Sequence, residues 1–307
     1  MTQKLPTTKL GRTGLEVTRL GYGAMEIRGS RIWKGRPVSG EQAETILNAV
    51  LDEGINFIDT SNCYGTSEEF IGKYISHRRS EFYLSTKCGC LIERKDDTTD
   101  NTLHVFTREN ILRGLHESLE RMKTDYVDIM QLHNPKVEIS EREKVVEVLQ
   151  EMRDQGKARH VSISTKLPDL RTYLEWGVFD TFQIPYSALE REHEDAITAS
   201  GKAGIGIIIR GGVARGEPGA GLGKKDNWKK FEDAGLDELC EQGESRTSFM
   251  LRFTLTHPHA NTIIVGKLQP DHLKENIQAI QRGLLPSDVY EEAKRRLDAI
   301  GEKPESM

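Results

Sequence analysis

The stretch INFIDTSNCYG, residues 55–65, combines the pattern of a buried strand with polar chemistry at its end. Its first five residues are a mostly apolar run that ends at Asp59, as is typical of a strand buried on both faces. Upstream, residues 43–51 repeat apolar side chains at helical spacing, after a capping box at Ser39 and Gln42 and before a glycine. A helix and then a buried strand are therefore predicted to lead into Asp59.

The same alternation of helix and strand continues through the chain. Seven further segments are predicted as strands, separated by segments of helical period: 17–22, 82–86, 126–132, 159–163, 179–184, 205–209 and 261–265. Caps at Thr107 and Ser140 are predicted to open two of the helices. Eight strands that alternate with helices favour a closed parallel barrel over an open doubly wound sheet. We therefore expect one α/β domain over residues 1–307 with the (β/α)8 TIM barrel fold.

Three long polar segments follow predicted strands: 26–38, 88–106 and 211–227. In a parallel barrel, the loops after strands lie on the C-terminal face, where active sites are built. We expect these loops and the C-terminal tail to determine substrate specificity, with plain surface connection as the alternative for most of their residues. Trp33 is a candidate wall of the substrate site, and ordinary packing is its alternative.

Composition excludes several classes of partner. The formal charge of -5, from 43 basic and 48 acidic residues, provides no basic field for nucleic acid or an anionic membrane. No apolar run approaches the roughly 20 residues that span a bilayer, and the first residues lack an apolar signal core. Four cysteines are too few for a disulfide scaffold. We expect a cytoplasmic protein with reduced thiols and a small-molecule partner, and we leave its oligomeric state open.

Four polar side chains at or near strand ends suggest a catalytic group. Asp59 ends one predicted strand, and Lys87 and His133 directly follow the next two, so a barrel brings all three to one rim. Tyr64 follows in the loop after Asp59. Reduction of a carbonyl leaves an alkoxide that needs a proton, and a tyrosine donates one well when a cation stabilises its phenolate. Lys87 is the candidate cation, Asp59 the carboxylate that keeps it charged, and His133 a donor to the substrate oxygen.

Each of these residues also has a structural alternative. Asp59 could cap a helix, Lys87 could be a solvated charge, Tyr64 could pack in a loop, and His133 could be a core histidine. Their occurrence together at successive strand ends favours the catalytic interpretation, a carbonyl reductase.

At this point the sequence resembles the aldo-keto reductase family over nearly the whole chain. LGRTGLEVTRLGYGAM, residues 10–25, is similar to the family's opening hairpin and first barrel strand, and INFIDTSNCYG is similar to its Asp and Tyr motif. Lys87 in LSTKCG and His133 in MQLHNP match the other two catalytic positions. The resemblance implies an eight-stranded barrel with an N-terminal β-hairpin, reduction of an aldehyde or ketone with NADPH, or with NADH as the alternative, Tyr64 as general acid, and no metal.

The resemblance also implies contacts to the cofactor. They comprise Ser164, Thr165, Gln183 and Tyr186 at the nicotinamide, Gly23, Ala24 and Met25 at its ribose, Arg210, Gly211 and Gly212 at the pyrophosphate, Lys267 and His272 at the 2'-phosphate, and Glu275 and Asn276 at the adenine. Thr165 stands where the family commonly has asparagine, and His272 where many relatives have arginine.

Two other functions stay open at this stage. A nucleotide-binding regulatory or sensor protein could share the barrel, as the channel-associated relatives of this family do. Alternatively, Lys87 could form a Schiff base, as in an aldolase, if burial lowered the pKa of its amine.

Overall fold

The computed structural model describes residues 4–219 and 223–307, and eight of its strands form a closed barrel. The strands are β1 (Thr7–Lys9), β2 (Glu16–Thr18), β3 (Leu20–Gly23), β4 (Phe57–Asp59), β5 (Tyr83–Cys88), β6 (Cys90–Arg94), β7 (Asp100–His104), β8 (Val127–His133), β9 (Ala158–Ser164), β10 (Thr181–Pro185), β11 (Gly206–Arg210) and β12 (Thr262–Val265). The barrel order is β3-β4-β5-β8-β9-β10-β11-β12. The predicted parallel (β/α)8 TIM barrel is confirmed.

Helices alternate with these strands. They are α1 (Gly40–Asp52), α2 (Ser67–Tyr74), α3 (Arg108–Met122), α4 (Val137–Arg142), α5 (Val145–Asp154), α6 (Asp169–Trp176), α7 (Glu194–Lys202), α8 (Lys225–Asp233), α9 (Arg246–Thr256), α10 (Pro270–Gln281) and α11 (Ser287–Ala299). Among the described residues, no helix has both the length and the apolar character that a membrane crossing requires.

Two of the three predicted helix starts are confirmed. Ser39 Oγ accepts the N–H of Gln42, while Gln42 Oε1 accepts the N–H of Ser39, both at 3.1 Å. The Thr107 hydroxyl caps α3. The prediction for Ser140 is wrong, because Ser140 lies inside α4, where its buried hydroxyl is 2.9 Å from the Tyr173 hydroxyl.

Two hairpins lie outside the barrel. β1 pairs antiparallel with β2, which confirms the predicted N-terminal hairpin. The predicted loop 88–106 contains a second antiparallel pair, β6 and β7, in which Cys90 lies opposite His104. The connection between these strands is closed by Asp96, whose carboxylate accepts the N–H groups of Thr98 and Thr99 at 2.7 and 2.8 Å. Residues 220–222 of the predicted loop 211–227 lie outside the described part.

The chain divides into two compact units, each considered by itself. The first takes its described residues from Met1–Leu20, Gln183–Val265 and Leu273–Met307, and the second comprises Gly21–Phe182 and Gly266–His272. The second unit contains all four residues of the predicted catalytic group. A single domain over the whole chain stays a prediction.

Candidate active site

The predicted catalytic residues lie at the C-terminal ends of adjacent strands. Asp59 ends β4 and lies opposite Ser85 of β5. Lys87 of β5 lies opposite Gln131 of β8, and His133 follows Gln131 by two residues on the same strand. Because side chains alternate along a strand, Ser85 and Lys87 share one face of β5, and Gln131 and His133 share one face of β8. The structure therefore brings Asp59, Lys87 and His133 to one rim of the second unit.

Asp59 and Lys87 form a buried ion pair. Lys87 Nζ donates to Asp59 Oδ2 at 2.6 Å and to the Thr60 carbonyl at 2.7 Å. The side chain of Lys87 is 0% exposed and that of Asp59 is 2% exposed. Burial lowers the pKa of Lys87, but the charge of Asp59 raises it, and the net pKa lies above its ordinary value. Lys87 is therefore a desolvated ammonium at neutral pH and not a solvated strand-end charge.

The second oxygen of Asp59 is held by a residue that sequence reasoning missed. Gln131 Nε2 donates to Asp59 Oδ1 at 2.6 Å and to Ser85 Oγ at 2.6 Å, and Ser85 Oγ donates to the same carboxylate oxygen at 3.2 Å. All three side chains are buried. The available signal was the position of Gln131, two residues before His133 on one strand.

Tyr64 lies beside this pair in the loop after β4. The Lys87 ammonium is 5.0 Å from the centroid of the Tyr64 ring, and only 8% of Tyr64 is exposed. Burial raises the pKa of Tyr64 to about 12, although the charge and hydrogen bond of Lys87 lower it. The predicted effect of Lys87 on the phenol thus has the expected direction, but burial outweighs it. Tyr64 is a protonated phenol at neutral pH.

The Tyr64 ring contacts Trp33 from the segment 26–38. The two rings meet edge to face with centroids 5.9 Å apart, and Trp33 is 47% exposed. Trp33 Nε1 donates to Thr102 Oγ1 of the hairpin at 3.0 Å. This position agrees with the predicted wall of a substrate site.

His133 contacts two thiols through one ring nitrogen. Its Nδ1 lies 3.0 Å from Cys90 Sγ and 3.5 Å from Cys63 Sγ, and its ring centroid is 6.1 Å from that of Tyr64. When a thiol donates to Nδ1, the neutral ring carries its hydrogen on Nε2. In that arrangement, Nε2 is the nitrogen that can donate to a substrate.

The two thiols have opposite acidities. The hydrogen bond with Cys90 outweighs burial and, together with His133, holds the pKa of Cys63 well below its usual range. The same hydrogen bond and then burial raise the pKa of Cys90. Burial also raises the pKa of Cys88, to about 12. Sequence reasoning missed the contact between Cys63 and Cys90, which the hairpin β6–β7 brings about.

Some of the predicted cofactor residues belong to the second unit. Gly23 ends β3, and Ala24 and Met25 begin a 3₁₀ turn directly after it. Ser164 ends β9, and both Ser164 and Thr165 are buried.

Lys267 and His272 also lie in the second unit. The carbonyl of Lys267 accepts the Tyr22 hydroxyl at 3.0 Å, and His272 is exposed in the first turn of α10. A Cβ at Gly266 would lie 2.9 Å from the Gly23 carbonyl oxygen, so glycine allows this segment to approach the end of β3.

The remaining predicted cofactor residues belong to the first unit. Gln183 is buried in β10, and Tyr186 follows that strand with no exposed surface. The Tyr186 hydroxyl donates to Glu194 Oε2 at 3.2 Å and lies 3.3 Å from the Tyr290 hydroxyl. Stacking of Tyr186 on a nicotinamide stays a prediction and requires one face of the ring to become accessible. Glu275 is exposed on α10.

Several features of the first unit fit a bound dinucleotide. Arg210 ends β11, and Gly211 follows with a φ of +72°, a conformation that favours glycine. A Cβ at Gly212 would lie 2.1 Å from Ile263 Cδ1, so a larger residue there requires the Ile263 side chain to shift. Asn276 is buried on α10, and its Nδ2 has no hydrogen-bond partner in the described part of the chain. An acceptor on a bound ligand would satisfy this donor.

Comparison with known proteins agrees with this architecture. The model of the Aldo/keto reductase family matches residues 19–297. The chain is 30% identical to aldo-keto reductase YhdN of Bacillus subtilis, over 87% of this chain and 86% of that protein. It is 27% identical to the NADH-specific methylglyoxal reductase of Escherichia coli, over 94% and 96% of the two chains.

A solved structure agrees as well. The holo form of aldo-keto reductase AKR11C1 from Bacillus halodurans superposes with a TM-score of 0.83 at 26% identity, over 95% of this chain and 96% of that chain. The family uses nicotinamide cofactors. Since the family model matches nearly the whole chain and the barrel is that of its relatives, this chain belongs to the aldo/keto reductase family of oxidoreductases.

Proposed function

We propose that this protein reduces an aldehyde or ketone to the alcohol with NADPH, and that Tyr64 is the general acid. The observation that carries the proposal is the buried series Asp59–Lys87–Tyr64. In it, an ammonium 2.6 Å from a carboxylate oxygen lies 5.0 Å from the ring of a protonated phenol. Few structural roles require a desolvated ammonium to face a tyrosine at the end of a barrel strand.

The chain's own residues handle the proton of the reaction. When bound, the nicotinamide cofactor supplies a hydride to the carbonyl carbon. Tyr64 donates its hydroxyl proton to the oxygen, which otherwise develops as an alkoxide. The Lys87 ammonium stabilises the resulting phenolate, and Asp59 keeps Lys87 charged despite its burial.

His133 is proposed to orient the carbonyl. With Nδ1 facing the thiols of Cys90 and Cys63, its Nε2–H is free to donate to the substrate oxygen. The edge-to-face contact with Tyr64 keeps the two donors close together. Donation from both groups to one oxygen polarises the carbonyl and fixes its orientation.

NADPH is the proposed cofactor, and NADH is the alternative. Lys267 carries a positive charge just before α10, and the start of a helix favours an anion. His272 in the first turn adds a donor, although a neutral imidazole holds a phosphate less firmly than arginine does. The NADH-specific relative makes a direct comparison of the two cofactors necessary. The other implied contacts stay predictions.

The aldolase alternative is not favoured. A Schiff-base lysine needs a lowered pKa to supply a neutral amine, whereas the pKa of Lys87 is raised. A nucleotide-binding sensor would make the same contacts to the cofactor as a reductase. It would differ from a reductase only in lacking turnover of a carbonyl substrate. A cytoplasmic location, a small-molecule partner and the lack of nucleic-acid or membrane partners remain part of the proposal.

A steady-state assay tests the proposed function. Consumption of NADPH and of NADH is followed with a panel of aldehydes and ketones that includes methylglyoxal and aryl aldehydes. Tyr64→Phe is expected to bind cofactor normally, measured by fluorescence titration, and to lose about 10²–10⁴-fold in kcat. Tyr83→Phe, at the start of β5, is the matched control and is expected to keep wild-type turnover. Full turnover in Tyr64→Phe would overturn the assignment of the acid.

A further inference from the structure

Cys63, Cys90 and His133 form a compact buried cluster, and the proposed reaction uses only one of the three directly. They are 0%, 1% and 8% exposed. Their Sγ and Nδ1 atoms all lie within 4.8 Å of one another, with Nδ1 3.0 Å from Cys90 Sγ and 3.5 Å from Cys63 Sγ. Two thiols and an imidazole nitrogen thus converge on one point from three separate segments of the chain.

We propose that Cys63, Cys90 and His133 bind a zinc ion, and that zinc bound there inhibits the enzyme. With Zn–S and Zn–N bonds of about 2.3 and 2.0–2.1 Å, a tetrahedral site separates sulfur from nitrogen by about 3.5 Å and two sulfurs by about 3.8 Å. One Sγ–Nδ1 distance is already 3.5 Å and the other is 3.0 Å. Small side-chain shifts therefore suffice to close the site around the ion.

The chemistry of the ligands selects the metal. Thiolate and imidazole ligands suit Zn²⁺ and Cu⁺, while Mg²⁺, Ca²⁺ and Mn²⁺ prefer carboxylate and carbonyl oxygens, and the cluster contains no carboxylate. Both sulfurs coordinate the ion as thiolates, so a proton still held by either thiol is released to solvent on binding. Three protein ligands leave a fourth position for water, as in zinc sites that remain open to exchange.

Surrounding residues hold the two thiols in place. Ser61 Oγ lies 3.2 Å from Cys63 Sγ. The Asn62 and Asn110 Nδ2 atoms donate to the Cys90 carbonyl at 3.2 and 3.4 Å. Such outer contacts orient metal ligands before the ion arrives and reduce the entropy lost on binding.

The inhibitory part of the inference rests on the proposed function. Cys63 directly precedes Tyr64, and Cys63, Tyr64 and Cys90 belong to one packed cluster. Coordination ties Cys63, the residue before the general acid, to the ion, and zinc on Nδ1 replaces the thiol contacts of His133. Since catalytic groups require placement to within about 0.5 Å, we expect kcat to fall.

Metal binding is measured without reference to activity. The reduced protein is titrated with Co²⁺, whose thiolate charge-transfer bands and intense visible bands report tetrahedral sulfur coordination, and Zn²⁺ is then used to displace it. We expect one Co²⁺ per chain. The variant Cys63→Ser/Cys90→Ser is expected to lose the bands and to bind Zn²⁺ more than about 100-fold more weakly, since outer-shell partners alone contribute about 10–100-fold.

The matched control is Cys88→Ser/Cys240→Ser, which also retains two of the four cysteines and keeps the cluster intact. It should show the wild-type bands and the same inhibition by Zn²⁺, reversed by EDTA. Absence of the bands from the wild-type protein, or equal bands in both double variants, overturns the zinc site, and the wild-type test is unaffected by any folding defect of a variant. Bands without inhibition overturn the inhibitory part alone. Bands in a protein with no reductase activity leave the site standing and reject the proposed function.

Discussion

Gln131 donates a 2.6 Å hydrogen bond from Nε2 to Asp59 Oδ1, while Lys87 holds the other oxygen of the same carboxylate at the same distance. Gln131 also lies directly opposite Lys87 in the pairing of β5 with β8. The carboxylate that keeps the lysine charged is thus itself fixed in orientation by a neutral side chain on the neighbouring strand. Gln131 acts through Asp59 and is a positioning residue.

Gln131→Leu is expected to lower kcat for carbonyl reduction by about 10–100-fold with little change in KM, by analogy with the outer partners of catalytic and metal ligands. Leucine fills a similar volume but cannot donate to Asp59 or Ser85. Gln131→Glu keeps the shape of the side chain but places a second carboxylate beside Asp59. Because the two negative charges repel, we expect kcat to be lower in this variant than in Gln131→Leu. Steady-state kinetics of the two variants check this order, and a change confined to KM would contradict the positioning role.

The pH dependence of the reaction follows from the raised pKa of Tyr64. As the pKa of Tyr64 is about 12, its acid form persists from neutral to mildly alkaline pH. Reduction, which needs the phenol, should therefore show no loss from Tyr64 over that range. Oxidation of the alcohol needs the phenolate, so its rate should keep rising with pH over the same range. Rates in both directions across pH check this prediction, and a fall in reduction near neutral pH that disappears in Tyr64→Phe would contradict it.

Removal of the Lys87 charge should shift that profile. In Lys87→Met the attraction that lowers the Tyr64 pKa is gone, so the pKa rises further and alcohol oxidation requires still higher pH. The variant also leaves Asp59 buried without its cation, at a cost of about 3–5 kcal/mol in the free energy of unfolding. Asp59→Asn/Lys87→Met removes both charges, so we expect it to regain stability but not turnover. Recovery of both would mean that the pair is only structural.

The sequence was sufficient for the barrel because short, largely apolar segments alternate with segments of helical period, as at 43–51 and 55–59. It failed at Ser140, where the pattern of a serine followed by charged residues resembles a cap. The true helix start lies earlier, at Val137, and the Ser140 hydroxyl is 2.9 Å from the hydroxyl of Tyr173, which lies in α6. A partner 33 residues away leaves no local signal.

The candidate site, like the fold, could be predicted only in part. Asp59, Lys87 and His133 were predictable because strand ends of a parallel barrel meet at one rim. The contact of Cys90 with Cys63 and His133 was not, because it depends on the course of a segment predicted as loop. Gly89, with a φ of +89°, turns the chain between β5 and β6, and a Cβ there would lie 2.1 Å from the ring of Phe106. Neither the turn nor the ring contact is visible in composition.

The second unit contains a buried carboxylate, Glu68, that is paired with Arg121. Loss of this partner should change the free energy of unfolding. Glu68 accepts Thr86 Oγ1 at 2.7 Å and Arg121 Nη1 at 2.9 Å, and it is 1% exposed. Burial raises its pKa, while the hydrogen bond from Thr86 and the charge of Arg121 lower it, and the net pKa is raised. Arg121→Ala should therefore lower the free energy of unfolding by about 3 kcal/mol near neutral pH.

The pH dependence of that loss distinguishes charge from packing. A folded-state pKa above the unfolded value means that ionised Glu68 destabilises the fold, so stability falls as pH rises past the ordinary pKa of the group. Without Arg121 the folded pKa rises further, and the deficit of the variant should shrink in acid, where Glu68 is protonated. Denaturant melts of wild type and Arg121→Ala at two pH values check this. A deficit independent of pH would assign the effect to packing.

An ion pair between Arg31 and Asp100 joins the segment 26–38 to the hairpin β6–β7 and sets the position of Trp33 next to Tyr64. Arg31 donates from Nε and Nη2 to both oxygens of Asp100, at 2.8 and 2.5 Å. Trp33→Ala removes the ring that contacts Tyr64, and an aromatic contact of this kind contributes about 0.5–1.5 kcal/mol beyond its area. We expect kcat/KM for aryl aldehydes to fall by about 3–10-fold, with methylglyoxal little affected. Trp33→Phe should recover most of the loss, and Arg31→Ala should reproduce part of it by releasing the segment. An equal loss for both substrates would place Trp33 in support of Tyr64 and not in the wall of the substrate site.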